Sequence, residues 1–97
     1  MAEHAELVHV SRYHPGSQHR DRFLEVAKSV SAESRSTVGC FGAQVCTSSL
    51  DDAVVVISRW DRPASLTRWL EDARVGSLAG EMSTLGGEME SEELRSL

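Results

Sequence analysis

Residues 53–70 read AVVVISRWDRPASLTRWL, and the way this stretch divides decides the fold. Ala53 to Ile57 are apolar without alternation, the pattern of a strand covered on both faces and therefore central in its sheet. Arg59-Trp60 closes the strand, and Asp61-Arg62-Pro63 turns the chain into a helix. Pro63 suits the first helical turn, where its missing N–H costs nothing, and Asp61 or Arg62 occupies the capping region before it. Leu66, Trp69, Leu70 and Ala73 then follow at i, i+3, i+4, i+7 spacing, which makes one apolar stripe. Both tryptophans of the chain fall within this stretch.

Working outward, Glu6 to Tyr13 (ELVHVSRY) reads as a strand with Leu7, His9, Ser11 and Tyr13 on one face and Val8, Val10 and Arg12 on the other. His14-Pro15-Gly16 ends it, and Ser17 is the expected N-cap of an amphipathic helix of about five turns carrying Phe23, Ala27, Val30 and Ser34. Phe41 to Thr47 sets Phe41, Ala43 and Val45 against Gly42, Gln44 and Cys46. The short loop Ser48–Asp52 joins that strand to the central one as a hairpin. Val75-Gly76-Ser77 predicts a break or kink in the second helix, which resumes with Leu78, Met82 and Leu85. The last twelve residues are acidic and contain no β-branched residue. They read as a weak edge strand or as a helical or free tail.

The order is β-α-β-β-α with a fourth strand open: an α+β, ferredoxin-like protomer whose two helices cover one face of an antiparallel sheet. A chain of 97 residues makes a single domain, residues 1–97, with a core over about 6–85 and residues 86–97 as tail or last strand. So short a chain buries only about 60–65% of its unfolded surface, and the other sheet face needs a cover. A second copy of the same sheet is the simplest one, so a homodimer is expected.

Composition excludes several classes. A net charge of −5 without a basic cluster argues against nucleic acid and anionic membranes as partners. No apolar run approaches the roughly 20 residues of a membrane span. The N-terminus MAEHAELVHV lacks the basic start and apolar core of a signal peptide, so a cytoplasmic location is expected. Cys40 and Cys46 have no redox or zinc spacing and read as reduced thiols. His4, His9, His14 and His19 recur every five residues, which suits neither a strand face nor a helix face, so no metal site is expected.

Tyr13-His14-Pro15-Gly16 opening a helix, Val38-Gly39-Cys40 opening a strand, and Val55 to Trp60 leading into Ser65 to Leu70 together resemble the antibiotic biosynthesis monooxygenase domain family over roughly residues 6–85. The resemblance implies a dimeric α+β barrel, two ferredoxin-like protomers packed sheet to sheet with a ligand cavity in each. The family holds oxygenases acting on anthrone-like polyketides or quinols without metal or flavin, haem-degrading enzymes, and isomerases. Carried over position by position, the Asn, Trp and iron-ligating His of the haem-degrading branch fall on His9, Trp69 and Ala79. The absent axial ligand argues against haem.

Cofactor-free oxygenation fits better, since it asks only for a base, an anion stabiliser and aromatic walls. The expected catalytic residues are His9 as base with Tyr13 on its strand face, Arg59 as a cation for the substrate anion, and Trp69. Phe23, Phe41, Trp60 and Arg12 are the expected substrate-binding residues, and no cofactor is expected. The structural alternatives are that His9 and Tyr13 line a solvated sheet face or a dimer seam, that Arg59 makes an interface ion pair, and that both tryptophans are core. The expected function is a monooxygenase of an electron-rich aromatic; a non-catalytic or regulatory dimer binding a small hydrophobic ligand is the alternative, and an isomerase a third.

Overall fold

The computed structural model describes residues 6–95; His4, noted above, lies outside them. The order is β1 (Leu7–Tyr13), α1 (Arg20–Arg35), β2 (Cys40–Thr47), β3 (Val54–Trp60), α2 (Pro63–Leu70), α3 (Ala73–Leu85) and β4 (Met89–Arg95). The four strands form one antiparallel sheet in the order β2-β3-β1-β4. The apolar run therefore does lie in the middle of the sheet. This is the ferredoxin-like α+β plan, with the helices packed on one face.

The core lies between that face and the helices. Leu7 from β1, Val54 and Trp60 from β3, Phe23, Val26 and Ala27 from α1, and Leu66 and Trp69 from α2 are all buried there. Trp60 is wholly buried, its indole Nε1 donates to Ser58 Oγ at 2.8 Å, and its ring lies 5.4 Å from that of Trp69. On the opposite face Val8 and Val10 of β1 and Val55 and Ile57 of β3 are half-buried, and Leu94 of β4 is exposed.

Three local expectations are corrected. The second helix divides at Glu71-Asp72 rather than at Val75-Gly76-Ser77, so three helices cover the sheet, not two. Asp72 is a strong N-cap: its carboxylate accepts from the Arg74 backbone N–H at 2.8 Å, which restarts the helix there. Gly76 meanwhile sits inside α3 with nothing within reach of a Cβ, so it interrupts nothing. The first helix begins at Arg20 with His19, not Ser17, at its N-cap. Cys40 pairs with Trp60 and Gly42 with Arg59, so Phe41 is the extra residue of a β-bulge and stands 58% exposed. The simple alternation expected for β2 fails at that point.

The acidic C-terminal stretch is a strand. Gly86 and Gly87 turn the chain back toward β1. A Cβ on Gly86 would strike the Tyr13 and Phe23 rings, and Gly87 adopts φ 67°, which favours glycine. β4 then pairs with β1 along its full length although every one of its residues is exposed. Its main-chain hydrogen bonds, not apolar burial, hold it at the sheet edge.

Candidate active site

Between the helices and the sheet lies a mostly apolar cavity of about 70 Å³. Its floor comes from the helix-facing parity of the central strands: His9, Ser11 and Tyr13 from β1, Val56 and Ser58 from β3. Its roof comes from Ser31 and Ser34 of α1, Trp69 of α2, and Val75 and Met82 of α3. Leu70 and Ala79, both exposed, form its rim. His9 and Tyr13 therefore face neither bulk solvent nor a sheet-to-sheet seam.

Burial lowers the His9 pKa from its ordinary value, because a desolvated imidazolium is disfavoured; the Glu93 carboxylate pulls in the opposite direction but more weakly. His9 and Glu93 are direct cross-strand partners in the β1–β4 register, and Ser58 is the partner on the β3 side. A hydroxyl, an imidazole and a carboxylate thus stand in one row across three strands, on one face of the sheet. Burial likewise raises the Tyr13 pKa, opposed by a hydrogen bond from Ser11, so the phenol stays protonated. Its ring lies 4.9 Å from that of Phe23.

Two buried polar side-chain atoms have no hydrogen-bond partner among the described residues, Ser31 Oγ and Trp69 Nε1. Both residues line this cavity. Ser34, one turn on from Ser31, instead donates to the Val30 carbonyl at 2.9 Å. An unsatisfied buried donor costs about 1–3 kcal/mol, so an acceptor beside either atom would be favoured.

Of the residues singled out from sequence, the structure brings His9, Tyr13 and Trp69 together around the cavity. Phe23 and Trp60 stand one layer behind, each stacked on a lining residue. Arg12 and Arg59 lie on the other sheet face, because each alternates with cavity-facing neighbours; Arg12 pairs with Asp51 at 3.0 Å and Arg59 with Glu6 at 2.9 Å. Phe41 is placed by the bulge outside the cavity lining. The donors that line the cavity are hydroxyls and an indole, not the arginines expected from sequence.

Sequence reading takes Glu93 for solvated charge, and it is indeed exposed, but its place beside His9 was not foreseen; Ser31 was not singled out. Glu93 sits in a stretch without strand propensity, so only strand register reveals it. Ser31 sits one position from the stripe residue Val30, a neighbour that helical periodicity could have marked. Ala79 lines the rim and offers no ligating atom, and 70 Å³ is far too small for a porphyrin; haem does not fit. No group of three or more metal-ligating side chains occurs among the described residues, and no described helix is long and apolar enough to cross a membrane.

The whole architecture recurs in solved structures. A conserved protein of unknown function from Bacteroides thetaiotaomicron superposes with a TM-score of 0.84 at 22% identity, over 98% of this chain and 100% of that one. Rv0793 from Mycobacterium tuberculosis gives 0.87 at 14% identity, covering 95% of each chain. SnoaB, a cofactor-independent oxygenase from Streptomyces nogalater, gives 0.82 at 17% identity over 94% of this chain and 92% of its own. At these identities the likeness is one of fold. No curated protein matches the sequence. The family model for antibiotic biosynthesis monooxygenase matches residues 7–77, the span that carries β1 through the start of α3, and the chain belongs to that family.

Proposed function

We propose that this protein is a cofactor-independent monooxygenase of a single-ring hydroquinone. The observation that carries the reading is the mostly apolar cavity lined together by His9, whose pKa burial lowers, and by two unpartnered polar atoms, Ser31 Oγ and Trp69 Nε1. Family membership and the shared fold of SnoaB support the reaction class. Size narrows the substrate. An apolar cavity of about 150 Å³ accepts benzene, so 70 Å³ already requires the rim to yield for one ring, and three fused rings would require far more. The quinol is favoured over the anthrone on that ground.

The chemistry balances as hydroquinone plus O₂ giving hydroxyquinone plus water. Neutral His9 takes a phenolic proton, and the quinolate oxygen rests on the Ser31 and Trp69 donors. The electron-rich ring reduces O₂ and a C–O bond forms at a ring carbon. As the O–O bond breaks, that carbon's proton passes to the departing distal oxygen, and the imidazolium returns the second proton, so the oxygen leaves as water. Glu93 steadies the imidazolium meanwhile.

Oxygen-electrode measurements with metal-free protein, small hydroquinones and a heat-killed control test this. Protein-dependent uptake, one O₂ per hydroxyquinone formed, is the expected outcome. Ligand binding with no uptake for any hydroquinone would replace the oxygenase by a non-catalytic ligand-binding protein, or by an isomerase using the same base.

The same reading includes a homodimer formed sheet to sheet and a cytoplasmic setting. Val8, Val10, Val55, Ile57 and Leu94 give the open face its apolar character, and free Cys40 and Cys46 suit a reducing compartment. Light scattering at micromolar concentration is expected to return the mass of two chains; the mass of one would refute the dimer.

A further inference from the structure

The inner cavity does not stand alone. On the far side of Trp69 lies an outer groove of about 320 Å³, bordered by the end of α1, the second half of α2 and the start of α3. Trp69 and Val75 line both spaces, so these two side chains are the wall between them. Together the two spaces reach the roughly 300–1,000 Å³ of ordinary ligand pockets, which the inner one alone does not.

The charges of the groove cancel in sum, two carboxylates against two arginines, but not in pairing. Glu33 and Asp72 line it, and each is engaged by Arg74, at 3.4 Å and 3.6 Å. Arg68, one residue before Trp69, also lines it and has no ion-pair or hydrogen-bond partner among the described residues. A guanidinium presents a planar fork of donors matched to a carboxylate. It stands next in sequence to Trp69, the nine-tenths-buried indole with an unpartnered N–H that borders both spaces.

We propose that the ligand is a single aromatic ring bearing a carboxylate side arm, the ring lodged past Trp69 in the inner cavity and the carboxylate held by Arg68 in the outer groove. This rests on the inner cavity being the ligand site, and it adds the substituent that selects among single-ring ligands. A neutral ring has no counterpart for Arg68. A dianionic arm would meet Glu33 and Asp72.

Calorimetric titration of the intact protein with 4-hydroxyphenylacetate and with its methyl ester tests the assignment. Both probes are inert to O₂, so turnover plays no part. The acid is expected to bind at least 10-fold tighter than the ester. Arg68→Gln should bring the acid down to the affinity of the ester without changing the ester, and Arg68→Lys should keep part of the preference. Arg68 is exposed, so these variants fold. Equal affinities in the parent protein, a preference that survives Arg68→Gln, or no binding of either probe at millimolar concentration would overturn the proposal. A clean preference in a protein that consumes no O₂ with any hydroquinone would sink the oxygenase and leave this assignment standing.

Discussion

If His9 is the base proposed above, its exchange for glutamine is expected to lower kcat for hydroquinone oxidation at pH 7 by roughly 10²–10⁴-fold, the range associated with removing a positioned general base. Glutamine keeps much of the volume and a polar end, so the cavity stays filled and the loss reads as chemistry. The pH profile carries the sharper test. Burial holds the His9 pKa below its ordinary 6.5, so the active neutral form persists into mildly acidic solution, and the acid limb of kcat/KM falls below that value. Because the Glu93 carboxylate raises the pKa, Glu93→Gln moves the limb to still lower pH while reducing kcat, since the imidazolium formed during turnover loses its neighbour. A limb that survives in His9→Gln removes His9 from the mechanism; one that stays in place in Glu93→Gln removes only the influence of Glu93 on it.

The same shift has a sign for stability. The unfolded chain takes up a proton at His9 near pH 6.5, and the folded chain only at lower pH, so His9 opposes folding increasingly as pH falls from 6.5 toward its folded value. Above 6.5 it has no such effect. Replacement by glutamine flattens this part of the stability profile.

Trp60→Ala is expected to cost about 3–5 kcal/mol, the usual range for emptying a large buried aromatic site. Trp60 is wholly buried where β1, β2 and β3 meet, opposite Leu7 and Cys40 in register. Truncation removes its ring contact with Trp69 and leaves the Ser58 hydroxyl without its indole donor. Native domains hold only about 5–15 kcal/mol in all, and short ones sit low in that range, so the variant is expected to be largely unfolded. Urea unfolding followed by far-UV circular dichroism measures the loss; a change under about 1 kcal/mol would show that the site collapses around the missing ring. Trp60→Phe, which restores most of the volume, should recover much of the difference.

The middle of the fold was legible because its residues carry strong local signals. An unbroken apolar run marked β3, Pro63 marked the start of α2, and parity put His9 and Tyr13 on one face of β1 and Arg12 on the other. The margins were not legible, for physical reasons. A bulge shifts parity by one residue and leaves no mark in composition, which hid the placement of Phe41. A good cap at Asp72 outweighs a glycine four residues later, so the helix divides earlier than the glycine suggests. β4 buries nothing, so the alternation by which strands are recognised has no reason to be present. The cavity followed the same rule: the residues on strongly patterned elements were found, while Glu93 depends on a register between distant parts of the chain and Ser31 hides on the shoulder of an apolar stripe.

β4 also separates two quantities that usually travel together. It carries the carboxylate beside His9, yet it is the strand with no buried side chain, and elements with few apolar contacts open at the lowest free energies. The charge beside the proposed base is thus carried by a strand expected to open before the rest, while the tryptophan core lies under β1 and β3. Competence and foldedness need not be lost at the same point: the protein can retain its core and its circular dichroism and already have lost the electrostatic setting of its base.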